Sequence, residues 1–312
     1  MTLTELRYVV AVARERHFGR AAAACFVSQP TLSVGVKRIE EALGVQIFER
    51  ASRSELHITP RGEAIIEQAI RILQEVDQLK AIADAAKDPL IGTLRVGLIH
   101  TIGPYLLPSL IPALHERAPR MPIEIVEGFT QDLLHQLHQG SLDAVVLSLP
   151  IVGNRLTITP VYREPFTVAV PSGHPLAEAR TVTPAQLAAE DLLLLGQGHC
   201  FRDQVLSICP ECAHSSAAGR LQRTLEGGSL ETMRMMVASG AGVTVLPCSS
   251  NIEPGAAAGA LIRYLPLAES VATRDVAVAS RSRYARGGAI DLLCAMIRAH
   301  RPPCCTPISG TA

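Results

Sequence analysis

The stretch GHCFRDQVLSICPECAH places Cys200, Cys209 and Cys212 within thirteen residues, with His199, Arg202, Asp203 and His214 among them. These residue types allow three kinds of chemistry. A cysteine made anionic is a nucleophile that peroxide oxidises to a sulfenic acid, and a second thiol condenses with that acid to form a disulfide. Cys200, Cys209, Cys212 and His214 together are also a thiol–imidazole set for zinc, although their irregular spacing departs from the tight pairs of zinc ribbons. Cys209 and Cys212 form a CxxC without a surrounding thioredoxin pattern. For the first chemistry an ordinary thiol is mostly protonated at neutral pH and must be activated. The glycines before His199 and the helix-like FRDQVLSI after it put Cys200 near a helix N-terminus. There the macrodipole favours negative charge, with Arg202 and His199 as candidate cations and Asp203 to orient one of them. A polar turn without chemical duty is the plainer account of His199 and Asp203.

The elements that hold this stretch follow from the rest of the chain. At 312 residues there is room for two or three domains, and 29 basic against 29 acidic residues with 48% hydrophobic content describe an ordinary soluble protein. No stretch approaches the apolar length of a membrane span, and LLLL at 192–195 is a buried strand at most. MTLTELRYVV lacks the pattern of a signal peptide, so a cytoplasmic location is expected, where eight cysteines are more often free, metal-bound or redox-active than a disulfide framework.

Residues 1–59 read as short helices and a hairpin. Thr2 with Glu5 fits a capping box, opening a helix with Leu6, Val9, Val10 and Ala13 on its apolar side. Phe18, Ala21, Ala22 and Cys25 mark a second helix. After a turn at Phe26-Val27, Ser28 caps a third, with Pro30 in its first turn and Leu32, Val36, Ile39 and Leu43 as its inner stripe. Gln29, Thr31, Ser33, Lys37 and Arg38 lie on its outer face, where short polar groups can bond base edges and cations can hold phosphates. VQIFERASRSELHITPRG gives two strands with a polar tip, a wing carrying Arg50 and Arg53. Helix-turn-helix and plain three-helix bundle both satisfy this periodicity. Residues 60–88 form one long helix, capped by Thr59, with Ile65, Ala69, Ile72, Val76, Leu79, Ala83 and Ala86 at alternating four and three. That is a heptad seam for a partner copy, or else the apolar side of a helix packed on its own domain. Beyond KDPLIG, strands and helices alternate in a βαβαβ run. A second unit runs from FTVAVP to VTVLP, and DVAVAS with the last helix returns to the first: two α/β lobes with a cleft. The tail RPPCCTPISGTA is expected to be disordered, Cys25 and Cys294 to be packing residues, and Cys248 to lie in a loop.

Laid out this way, the chain resembles the LysR-type transcriptional regulators over nearly its whole length, most specifically in FGRAAAACFVSQPTLSVGVKRIEEALGVQIFER. The resemblance implies an α/β protein with a winged helix-turn-helix at 1–59, a linker helix for dimerisation at 60–88 and a regulatory domain at 91–305. That domain would be shaped like the periplasmic binding proteins, with one lobe at 91–162 and 268–302 and the other at 163–267. It also implies double-stranded DNA and RNA polymerase as partners, a homotetramer, and no cofactor or metal. Gln29, Pro30, Thr31, Ser33, Lys37, Arg38, Arg50 and Arg53 would carry the DNA contact.

TIGPYLLP at 101–108 and GHCFRDQ at 198–204 are similar to the peroxide-sensing branch of that family. In that branch a pair spaced like Cys200 and Cys209 is the sensor, reset by a thiol reductant, and it mainly activates antioxidant genes. Thr101 and Thr130 would help hold the peroxide. If 201–208 is helical, the two cysteines stand roughly 13 Å apart, beyond the ~7 Å a disulfide spans, so bonding must refold the segment. The sequence departs from the branch at Val34-Gly35, which stand where it carries glycine and then glutamine. Gly35 in a recognition helix costs about 1 kcal/mol relative to alanine and removes a possible base contact. A small organic effector between the lobes is the alternative regulator, and a dedicated thiol peroxidase the alternative from another class.

Overall fold

The computed structural model describes residues 1–50, 56–85, 88–151, 155–212, 228–251, 260–268, 272–282 and 284–308. Contacts divide the chain into two units, Met1–Lys87 and Asp88–Ala312.

In the first unit, α1 (Leu3–Glu15) opens with the expected box: Thr2 Oγ1 accepts from the Glu5 N–H and the Glu5 carboxylate accepts from the Thr2 N–H. Its buried side is Leu6, Tyr8, Val9 and Val12, so Tyr8 and Val12 take the places expected for Val10 and Ala13, which are only partly buried. In α2 (Phe18–Ala24) His17 Nδ1 accepts from the N–H groups of Gly19 and Arg20. In α3 (Gln29–Leu43) Ser28 Oγ accepts from the Thr31 N–H, Pro30 sits in the first turn and Gly44 ends the helix in a left-handed conformation. Leu32, Val36 and Ile39 are buried, but Leu43 is exposed because the helix outruns the core it packs on. Strands β1 (Phe48–Arg50) and β2 (Leu56–Ile58) pair antiparallel, Phe48 opposite Ile58.

Thr59 Oγ1 accepts from the Gly62 N–H and starts α4 (Pro60–Ala85). The first turns of α4 bury Ile66 and Ala69 in the unit's own core, while Leu79 stands 67% exposed. Self-packing and an unpaired apolar position thus occur on one helix.

The second unit is built on β3 (Leu94–Ile99), β4 (Ile123–Gly128), β5 (Ala144–Ser148), β6 (Leu156–Pro171), β7 (Leu192–Leu193), β8 (Val243–Pro247), β9 (Ile262–Pro266), β10 (Thr273–Arg281) and β11 (Thr306–Pro307). The strand order is β4-β3-β5-β10-β6-β8-β7, with β9 and β11 also against β6. β3 runs parallel to β4 and β5, as expected for strands joined by α5 (Gly103–Arg117) and α6 (Thr130–Gln139). The first part of β6 pairs with β10, and its second part pairs with β8 and β9. Two hydrophobic clusters result. One gathers Leu98, Leu106, Val146 and, from α10 (Gly287–Ala299), Leu293. The other gathers Val168, Leu193, Leu246, Phe201 of α8 (Cys200–Ile208) and Val237 of α9 (Leu230–Ala238), with Leu187 of α7 (Pro184–Ala188).

One expectation fails at the chain's end. Residues 301–308 are ordered: β11 pairs with Arg163 and Tyr162 of β6, and Cys305 is buried. Cys248 lies in the short turn after β8, where it is buried and bonded to Cys304. Long-range pairing supplies the order that a short, proline-rich segment cannot generate by itself.

Candidate functional site

Gly198, in a left-handed conformation (φ 93°), turns the chain into α8, with His199 as N-cap and Cys200 as first helical residue. His199 places no side-chain cap on the helix, so the N-terminal partial positive charge faces the half-buried Cys200. The helix is tied down on several sides. Gln204 Nε2 donates to Ser148 Oγ (2.8 Å) and to the Leu149 carbonyl (3.1 Å), Arg202 Nη1 donates to the Leu195 carbonyl (2.8 Å), and Phe201 and Val205 are buried. Gln204 is a positioning residue that sequence reading passed over.

Cys200 opens into a small recess, lined also by His100, Thr101, Phe129, Thr130 and His199. It has room for about one water-sized molecule, whereas sites for organic ligands run to about 300–1,000 Å³. Thr130 Oγ1 is buried there without a hydrogen-bond partner. The rings of His199, Phe129 and His100 pack edge to face, with His199 4.9 Å from Phe129 and 6.0 Å from His100. Burial, with His100 adding to it, lowers the pKa of His199 below the usual histidine value. Its neutral form is favoured, so it is not the cation expected beside Cys200. Arg202 is anchored to backbone, and Asp203 is exposed.

A buried cation at this end of α8 is Arg274, which the sequence did not single out. Its guanidinium is fully buried and lies 5.4 Å from the Phe201 ring centroid. Nη1 donates to Thr101 Oγ1 and Nη2 to the Thr101 carbonyl, both at 2.8 Å, while Nε donates to Glu164 Oε2 at 2.8 Å. Glu164, also fully buried, accepts from the Ser249 N–H at 3.0 Å. An uncompensated buried charge is expensive, so each partner holds the other in place. Thr101 Oγ1, already accepting from Arg274, keeps its proton to donate into the recess.

Cys209 and Cys212 are bonded to each other at the far end of α8, both buried. Cys209 is therefore not a free thiol in this state, and neither sulfur is open to zinc. His214, the fourth residue of that set, lies outside the described residues. Cys200 remains free, as do Cys25, Cys294 and Cys305.

In the first unit Gln29, Pro30, Thr31, Lys37 and Arg38 are exposed along α3 and Ser33 is half-buried. Thr31 Oγ1 shares a 2.8 Å hydrogen bond with Ser28 Oγ, Lys37 lies 3.4 Å from Glu41, and Arg38 lies 3.9 Å from Glu5. Arg50 ends β1, its side chain and Arg53 lying outside the described residues. Gly35 corrects its expectation. It is buried, and a Cβ there would come within 2.6 Å of the Tyr8 ring. A side chain at this position would meet α1, so no base contact is lost; its neighbour Val34 is the exposed residue. Phe26, 96% exposed in the turn between α2 and α3 with φ 55°, escaped notice because turn residues show no periodicity.

Comparison with known proteins adds identity to this geometry. Residues 3–63 match the family model described as bacterial regulatory helix-turn-helix protein, lysR family, and residues 87–302 match the LysR substrate binding domain. The chain is 39% identical over 301 residues to a hydrogen peroxide-inducible genes activator of Pectobacterium carotovorum subsp. carotovorum, covering 96% of this chain and 97% of the relative. It is 43% identical over 248 residues to the DNA-binding transcriptional dual regulator OxyR of Escherichia coli K12, covering 79% of each. Among solved structures, a full-length OxyR variant from Pseudomonas aeruginosa matches with TM-score 0.77 and 45% identity, covering 100% of this chain and 99% of the other. A hydrogen peroxide-bound OxyR mutant from Corynebacterium glutamicum matches with TM-score 0.64 and 31% identity, covering 96% and 92%. Among the described residues no helix is long and apolar enough to cross a membrane. Taken with the thiol at a helix N-terminus beside a small polar recess, these matches place the chain in the LysR family of regulators, in its OxyR group of hydrogen peroxide-inducible genes activators.

Proposed function

We propose that this chain is a cytoplasmic DNA-binding transcriptional regulator, mainly an activator of antioxidant genes, that hydrogen peroxide switches by oxidising Cys200. The observation that carries the proposal is the recess: a free cysteine and an unpartnered threonine hydroxyl share a space too small for an organic effector, and a buried guanidinium holds Thr101 in its wall. The reacting species is the thiolate, and Cys200 stands at the helix N-terminus. Thr101 and Thr130 bind the peroxide oxygens. The Cys200 sulfur attacks one oxygen and breaks the O–O bond, giving a sulfenic acid and hydroxide, which takes up a proton and leaves as water. Neutral His199 can relay that proton to the leaving hydroxide.

Cys209 is the resolving thiol once its bond to Cys212 has been reduced by a cellular dithiol, which takes up the disulfide. Its sulfur then displaces hydroxide from the sulfenic acid, and a proton completes the second water. Cys200 and Cys209 stand at opposite ends of α8, about 13 Å apart by helical rise, and a disulfide needs Cα atoms within about 7 Å. Bonding them must unwind α8 and release the Gln204 and Arg202 anchors. That rearrangement is the signal; a homotetramer paired through α4 would carry it to the DNA and RNA polymerase. On the DNA side, Gln29, Pro30, Thr31 and Ser33 meet base edges, while Lys37, Arg38, Arg50 and Arg53 meet phosphates. The chain consumes peroxide as a signal, not as an enzyme.

The test is to reduce the protein fully, expose it to peroxide, map its disulfides by non-reducing peptide analysis, and compare transcription from wild type and Cys200→Ser. A Cys200–Cys209 bond and an unresponsive variant are expected. An unimpaired response from Cys200→Ser overturns the proposal.

A further inference from the structure

Sulfur chemistry that the sensor does not use lies beside the Glu164–Arg274 pair. Cys248 sits in the short turn Cys248–Ser250 after β8, while Cys304 and Cys305 follow α10, and the fold brings the three together. Cys248 and Cys304 are bonded, the buried Cys305 Sγ lies 4.0 Å from Cys248 Sγ, and all three sulfurs lie within 4.8 Å of one another. Zinc–thiolate bonds of about 2.3 Å put the sulfurs of a tetrahedral or trigonal set roughly 3.8–4.0 Å apart. Cys248 and Cys305 already have that spacing. Once the disulfide is opened, Cys304 has to move off Cys248 by only about 2 Å to complete the set.

Three thiolates are soft donors, suited to zinc or cuprous copper and poor for magnesium or calcium. Cys248 and Cys305 are buried, and the nearby Glu164 and Arg274 cancel each other's charge. Three thiolates around a monovalent ion would leave two net negative charges in this surrounding, and around a divalent ion only one. Burial therefore favours the divalent ion.

We propose that, in the reduced chain, Cys248, Cys304 and Cys305 form a thiolate site for a soft divalent cation of zinc's class, with solvent completing the shell on the exposed Cys304 side. Opening the Cys248–Cys304 bond takes two electrons and two protons from a dithiol, which becomes a disulfide. Binding the cation then releases three protons, one from each thiol. Disulfide and metal are thus alternative ties between the chain's end and the turn after β8.

The test uses the full chain, reduced with a phosphine that is then removed. Zinc(II) is titrated against a chromophoric chelator, and cobalt(II) serves as spectroscopic stand-in. Wild type and a Cys209→Ser/Cys212→Ser double variant should each bind one tight equivalent and show a thiolate-to-cobalt charge-transfer band. Cys304→Ser and Cys305→Ser should each weaken that equivalent by more than roughly tenfold, since losing a ligand outweighs losing a supporting contact. Cys304 is exposed, so its variant keeps the fold even if Cys305→Ser does not, which thermal unfolding checks. Full binding by Cys304→Ser, loss of the equivalent in the Cys209→Ser/Cys212→Ser variant, or absence of the charge-transfer band overturns the proposal.

Discussion

Replacing Arg274 by methionine separates two roles that this residue combines. The guanidinium neutralises the buried Glu164 and makes two hydrogen bonds to Thr101, and it is also a positive charge over the Phe201 ring at the reactive end of α8. Removing one partner of a buried ion pair costs about 3–5 kcal/mol, because the other is left charged without compensation or must take up a proton. Removing both restores most of that loss, since neutral pairs of similar volume are often as stable as the ions they replace. Arg274→Met should therefore lose about 3–5 kcal/mol in denaturant unfolding, and Arg274→Met/Glu164→Gln should recover most of it. Oxidation of Cys200 should behave differently. Both variants lack the charge and the Thr101 anchor, and loss of about 1.4 kcal/mol of stabilisation slows a reaction tenfold. Stopped-flow trapping of the sulfenic acid should show both variants slower by about tenfold or more. If the stable double variant reacts at the wild-type rate, Arg274 is a structural cation and the electrostatic account of the site is wrong.

Thr130→Val deletes a buried hydroxyl that has no partner, so stability should hold or rise slightly while peroxide oxidation slows; lower stability with an unchanged rate would make Thr130 a packing residue. His199 predicts a pH effect of definite sign: its folded pKa is lowered, so as pH falls from 7 to 5 the unfolded chain, with an imidazole pKa of about 6.5, takes the proton first and stability drops. His199→Gln should flatten that part of the pH–stability curve, and an equally steep curve in the variant would contradict a buried neutral imidazole. Gly35→Ala forces a methyl group against Tyr8, costing about 1–3 kcal/mol against a gain of about 1 kcal/mol in helix propensity, so thermal unfolding of the first unit should show a net loss of up to about 2 kcal/mol. Unchanged stability would mean that the Tyr8 ring moves aside at little cost.

Features written in neighbouring residues were legible before the structure. The Thr2–Glu5 box, the Ser28 cap with Pro30, the Thr59 cap and the strand–helix alternation from Leu94 onward all depend on contacts a few residues long. Cys200 was legible for the same reason, because the glycines before it and the amphipathic run after it specify a helix start. Arg274 was not, because its meaning comes from Glu164, 110 residues away, and Thr101, 173 away. A faint signal did exist: Glu164 and Arg274 are charges at the edges of the apolar runs FTVAV and VAVAS. Gly35 could have been placed by periodicity, since it lies three residues after the inward-facing Leu32. Its partner Tyr8 on another helix could not. The order of residues 301–308 depends on β6 and on Cys248, and nothing in the local sequence announces either.

β6 has a consequence for how the regulatory unit comes apart. One uninterrupted run of backbone contributes Val161 and Tyr162 to one apolar cluster and Val168 to Val170 to the other. Neither half can shed this strand without stripping a wall from its neighbour. Two interiors that look separable on a map should therefore melt together, in one cooperative step, and a substitution deep in either should register on probes placed in both.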